Sequence, residues 1–197
     1  MTLRNQLALV AVAALLPAAL LLAPLAMRAQ DKKDPPDLST PGPEHKILES
    51  LAGAYGAKVK AYFEPGKPPE ESTGVMKRKM LMGGRYLQEE YEGKIGPESF
   101  SGMGLVGFDR IKKKYVVTWI DSMSTGFMTS EGTYDTDKKT LTYISEDIDP
   151  NTGKKTKGRD VLRFDSDDQQ TFEMYRQSTD DGGKELKVLE IVYTRKK

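Results

Sequence analysis

Cysteine is absent from this 197-residue chain, and histidine and tryptophan occur once each, as His45 and Trp119. Without cysteine there is no disulfide, no thiolate zinc site, no cysteine nucleophile and no acylated cysteine to anchor a lipoprotein. One histidine cannot build an imidazole metal site, and no Gly-x-Ser-x-Gly turn is present to complete a hydrolase triad. No histidine follows His45, so a late strand cannot offer an axial ligand to haem iron. His45 reads as a helix-start residue bonded to its surroundings; acting as a base would require a nucleophile beside it. An excess of one charge is missing too, since 30 Lys and Arg face 29 Asp and Glu. Such a balance gives no field to gather nucleic acid or anionic lipid, and neither is expected as a partner. No cofactor or metal is expected.

Only one long apolar run exists. Leu7–Leu25 is uncharged, follows Arg4 and precedes Ala26-Met27-Arg28-Ala29. That order of a charged start, an apolar middle and small residues at the end is the pattern of an export signal over residues 1–29. A run of this length also reaches the span of a membrane anchor, but Pro17, Pro24 and the small residues favour cleavage after Ala29 or Ala26. Stable membrane insertion after cleavage is not expected. Export without cysteine fits a bacterial periplasmic or secreted protein. Residues 30–43 (QDKKDPPDLSTPGP) hold four prolines and one large apolar residue, Leu38, and read as a flexible linker.

Residues 44–197 are then expected to form one domain, large enough to bury about 70% of its unfolded surface without staples. Glu44–Leu51 is the single helix candidate, with Ile47, Leu48 and Leu51 on one stripe and Gly53 ending it. Beyond Gly53 the apolar period changes to two. Ten strands are predicted: Ala54–Glu64, Ser72–Met82, Arg85–Gly93, Phe100–Asp109, Tyr115–Asp121, Gly126–Asp135, Thr140–Asp147, Lys155–Phe164, Thr171–Gln177 and Glu185–Arg195. The links are hairpin-length, and none can hold the crossover helix of a parallel sheet. The expected fold is all-β: an up-and-down antiparallel barrel of about ten strands, closed to remove its edges, with a short N-terminal capping helix. A repeated unit supports it. Phe108-Asp109-x-x-Lys112-Lys113-x-Tyr115 recurs as Tyr134-Asp135-x-x-Lys138-Lys139-x-Leu141, and Phe164-Asp165 opens a third copy. Each copy sets an Asp to close a turn with its side chain.

Other motifs count against special chemistry. Asp147-x-Asp149-x-Asn151-x-Gly153 approaches a calcium loop, but its glycine falls at position seven and position twelve is Gly158. Gly83-Gly84 lacks phosphate-loop spacing and is expected to mark a bulge or a close backbone approach. The candidate site comes from polar residues in phase with apolar ones. Tyr115, Val117, Trp119 and Asp121 alternate onto one face, as do Leu87, Glu89 and Tyr91. Glu173 and Tyr175 share a face of the ninth strand. If the Trp119 face points inward, Arg85, Glu89, Tyr91, Trp119, Asp121 and Arg159 are the expected ligand contacts, with Arg85 or Arg159 as the cation beside a buried carboxylate. The bland alternative makes Trp119 core packing and the charges solvated.

The ordered set Glu44-His45-x-x-Leu48-x-x-Leu51-x-Gly53, Gly83-Gly84-Arg85, Gly107-Phe108-Asp109, Thr118–Met123, Gly132 and Arg159-Asp160 resembles an uncharacterised bacterial domain-of-unknown-function family. Tyr55 stands where that family usually has Trp. The family in turn resembles the calycins, comprising lipocalins, fatty-acid-binding proteins and the ten-stranded nitrobindin type. That resemblance implies a barrel capped by a short helix, with a small apolar ligand or haem inside, and it assigns no activity. Three functions remain: a binding protein for a small, partly apolar molecule; an envelope interaction module with a filled core; or an enzyme using Glu89, Asp121 or Glu173 as acid or base.

Overall fold

The computed structural model describes residues 37–148, 153–177 and 183–197. The expected export signal, residues 30–36 of the linker and the middle of the Asp147–Gly153 turn lie outside them. One helix precedes ten strands: α1 His45–Leu51, β1 Gly53–Ala61, β2 Glu70–Leu81, β3 Tyr86–Ile95, β4 Glu98–Asp109, β5 Lys114–Asp121, β6 Met128–Asp135, β7 Thr140–Ile148, β8 Lys155–Phe164, β9 Gln169–Gln177 and β10 Glu185–Arg195. Each strand pairs antiparallel with its sequence neighbour, and β1 also pairs with β10 to close the barrel. All ten predicted strands are present. The largest difference in their ends is at β1, which stops at Ala61 instead of Glu64.

Period-two patterning decides which side chains enter the barrel. On β1, Tyr55, Ala57, Val59 and Ala61 are buried while Lys58 and Lys60 face out. Their neighbours Leu189, Ile191 and Tyr193 on β10 enter from the adjoining strand. A seven-residue helix is not stable alone. Leu48 and Leu51 hold α1 in place by packing on Leu87, Val106, Tyr115 and Leu141, each buried side chain contributing about 1.5–3 kcal/mol. The Tyr115 hydroxyl donates to the Glu44 carbonyl at 3.0 Å, and burial pushes its pKa up to about 12. His45 is buried, accepts the Gly42 N–H at Nδ1 (3.0 Å) and packs edge-on against Phe108. It shapes the entry to the helix, which plugs one end of the barrel.

The repeated hairpin unit has a common geometry in its first two copies. Asp109 Oδ1 accepts the N–H groups of Ile111 and Lys112, and Asp135 Oδ1 accepts those of Asp137 and Lys138. Lys113 and Lys139 then take matching left-handed conformations, with φ of 55° and 51°. These bonds hold both carboxyls below the ordinary aspartate pKa, the backbone donors Lys112 and Lys138 contributing most. The third copy differs, because Asp165 instead accepts from Thr171 Oγ1 and Arg163.

Two expectations change here. Gly83 and Gly84 form no bulge; with Met82 they make a run of positive φ that turns β2 into β3, a conformation that glycine adopts without steric cost. Residues 37–43, expected as flexible linker, are fastened to the barrel by Arg85 on the Ser39 carbonyl and Arg110 on the Asp37 and Thr40 carbonyls.

Candidate functional site

Above α1 the barrel encloses a cavity of about 390 Å³, opening toward the end where β1 stops and β10 begins. Ligand pockets span roughly 300–1,000 Å³. The wall is mostly apolar, with Phe100, Trp119, Phe172 and Met174 prominent, and its polar groups fall into three sets.

The deepest set centres on Arg78. β2 places it in phase with Met76, between the outward Lys77 and Lys79. Its side chain is 3% exposed and its Nε donates to Glu89 Oε1 at 2.6 Å. Arg78 Nη1 donates to Gln170 Oε1 at 2.8 Å, Gln170 Nε2 to the Tyr55 hydroxyl, and Tyr55 to the Leu51 carbonyl at the end of α1. The guanidinium carbon also lies 5.2 and 4.8 Å from the ring centres of Tyr55 and Tyr193, an arrangement worth about 1–2 kcal/mol when desolvated. Burial opposes the charge on Arg78, but Glu89 outweighs it and the pKa is raised. Tyr143 and Tyr193 line the cavity beside this pair, and burial drives both phenols well above their ordinary pKa.

The second set lies on β8 and β9. Asp160 Oδ1 accepts from Arg176 Nη1 at 2.6 Å. Burial raises the Asp160 pKa against the pull of Arg176, and Asp147 raises it further. The third set is Trp119 and Asp121. Trp119 Nε1 donates to Asp121 Oδ2 at 3.1 Å, while Asp121 Oδ1 accepts the Met123 N–H at 2.9 Å. The indole rests on Gly102 and Gly104 of β4, where any Cβ would collide with it. The β6–β7 ladder runs only from Glu131–Ile144 to Asp135–Thr140. Met128, Thr129 and Ser130, paired with β5 but not with β7, form part of the cavity wall.

Of the six residues expected from sequence, Glu89, Tyr91, Trp119 and Asp121 line this cavity. Tyr91 buries its hydroxyl over Gly74 and Gly93 with no hydrogen-bond partner, which raises its pKa. Arg85 and Arg159 lie elsewhere. Arg85 precedes β3 and spends its guanidinium on the Met82 and Ser39 carbonyls. Arg159 faces out because its neighbour Asp160 faces in with Leu162, and adjacent strand residues point oppositely. It grips Glu185 through two bonds of 2.8 and 2.6 Å and stacks on Tyr175 at 4.0 Å. The cation beside Glu89 is therefore Arg78, and Asp121 is held by neutral donors. Glu173 and Tyr175 also belong to the outer face, where Glu173 binds Lys187. Sequence reasoning missed Arg78, Asp160 and Arg176. Each shares the apolar phase of its strand, with Met76, Leu162 and Met174 respectively, and that phase was a readable signal.

Solved structures share this architecture. One is Rv2717c from M. tuberculosis, at 13% identity and a TM-score of 0.57, covering 80% of this chain and all of the other. Another is the S-type phycobiliprotein lyase CPES from Guillardia theta, at 11% identity and a TM-score of 0.53, covering 78% of this chain and 93% of the other. Identities this low establish the fold alone. No curated protein matches the chain. Residues 40–195 match the family described as “Protein of unknown function (DUF1579)”, and the chain belongs to that family.

Proposed function

We propose that this domain binds a small, partly apolar molecule inside its barrel, and that it does so outside the cytoplasm after removal of residues 1–29. The observation that carries the binding reading is the cavity of about 390 Å³, an apolar chamber with a few fixed polar groups. Side chains would occupy that space in a filled-core module. Glu89, Tyr91, Trp119 and Asp121 are the ligand contacts carried forward from the sequence, joined by Arg78, Tyr143 and Tyr193. Glu89 and Asp160 are each engaged by a guanidinium, so binding is a better reading than acid–base catalysis.

The test uses the sole tryptophan as reporter. Titration with the neutral probe N-phenylnaphthylamine should change Trp119 emission and give saturable probe fluorescence, while Arg159→Ala binds as wild type does. Native mass spectrometry of protein from its source should show a retained small molecule. Absence of both signals would overturn the reading. Export has its own test: the intact mass of envelope-fraction protein should begin at Gln30 or Met27. A mass that includes Met1–Leu25 in a membrane pellet would mean an anchor.

A further inference from the structure

The cavity is charged in a way that narrows its ligand. Among the described residues its wall holds four carboxylates (Glu89, Asp121, Asp147 and Asp160) and two guanidiniums (Arg78 and Arg176). Each guanidinium already bonds one carboxylate at 2.6 Å. Among the described residues Asp121 is held by the Trp119 and Met123 N–H groups, and Asp147 lies near enough to Asp160 to raise its pKa. An incoming anion would thus meet spent guanidiniums and further negative charge in a mostly apolar chamber. Uncharged donors are available instead. Tyr143 and Tyr193 are 7% and 3% exposed, and neither hydroxyl has a hydrogen-bond partner among the described residues. Neither hydroxyl is sealed from the interior space, unlike that of Tyr91. A phenol left unpaired at such depth costs stability unless a ligand completes it.

We propose that the ligand presents an uncharged hydrogen-bonding group, a hydroxyl or a carbonyl, to Tyr143 and Tyr193, and that the barrel rejects carboxylates of the same length. The inference rests on the binding reading above. Burial raises both tyrosine pKa values, so the hydroxyls keep their protons across the neutral range and act as donors. Arg78 stays occupied with Glu89, so the deepest charge in the chamber is neutralised before a ligand arrives.

The experiment measures displacement of N-phenylnaphthylamine from the purified protein by decanol and by decanoate at neutral pH. Decanol should bind about tenfold or more tightly than decanoate, the ratio expected when a charged group goes unpaired. Tyr143→Phe combined with Tyr193→Phe should weaken decanol about tenfold while leaving the thermal midpoint unchanged or higher, because no intraprotein bond is lost. Glu89→Gln keeps an acceptor for Arg78 but frees its charge, and should shift the ratio of the two affinities toward decanoate by about tenfold. Probe binding together with decanoate as tight as decanol overturns the charge inference and leaves the binding reading standing. So does undiminished decanol binding in the double phenylalanine variant. Failure of the probe itself to bind overturns both.

Discussion

Arg78→Met is the substitution that most directly probes how the barrel tolerates charge in its interior. The methionine matches the aliphatic stem of arginine and keeps company with Met76, so packing changes little. What remains is the Glu89 carboxylate, 14% exposed and without the Nε donor 2.6 Å away. Removing one partner of a buried pair costs about 3–5 kcal/mol, against a total stability of about 5–15 kcal/mol for a domain. Glu89→Leu added to it removes the stranded charge. The double variant then retains the cost of the Gln170 carbonyl oxygen, which loses the Arg78 Nη1 donor and is worth about 1–3 kcal/mol when buried unpaired, and of the lost cation–π contacts with Tyr55 and Tyr193, both of which Arg78→Met loses as well. The double variant should therefore be more stable than Arg78→Met by about 2 kcal/mol. Urea unfolding of the wild type, both single variants and the double variant gives the coupling energy. A loss below about 1 kcal/mol for Arg78→Met would refute the burial argument. A double variant as unstable as the single one would refute the assignment of the cost to stranded charge.

Two further outcomes follow from the geometry. Gly104→Ala places a Cβ 2.9 Å from Trp119 Cε3 and 3.2 Å from Glu89 Oε2. It should push the indole into the cavity, shift its emission, weaken probe binding and cost about 1–3 kcal/mol in urea unfolding; unchanged emission and binding would show that the glycine slot does not position Trp119. Asp109→Ala removes the carboxylate that accepts the Lys112 and Ile111 N–H groups, bonds that hold its pKa below the ordinary value of 3.8, so the wild-type advantage is complete above that value and vanishes as pH falls through the lowered folded pKa; a difference between the two proteins that does not shrink as the pH is lowered below that value would contradict it.

The ten-strand meander was legible because strand pairing between neighbours is local. Alternation, an Asp-closed turn and short links leave an antiparallel chain no other way to bury its apolar phase, and the leftover edges of β1 and β10 close on each other. Four of the six expected contacts line the cavity for the same reason: Glu89, Tyr91, Trp119 and Asp121 sit in the apolar phase of β3 and β5. Arg159 and Tyr175 misled because a large side chain on the outer face can stack and pair there as fully as one inside. Arg78, Asp160 and Arg176 carry the inward phase in sequence, yet charge argues against burial until a partner is in view. Those partners lie on other strands: Glu89 across the β2–β3 ladder, Gln170 on β9, and Arg176 across from β8. Alternation is a property of a single strand, and the sequence by itself determined it. Which buried charges meet depends on the stagger of strands around a closed barrel, where Arg78 and Gln170, 92 residues apart, come within one hydrogen bond. Only the tertiary structure decided that, because closure lets distant segments neutralise each other and leaves a chamber between them.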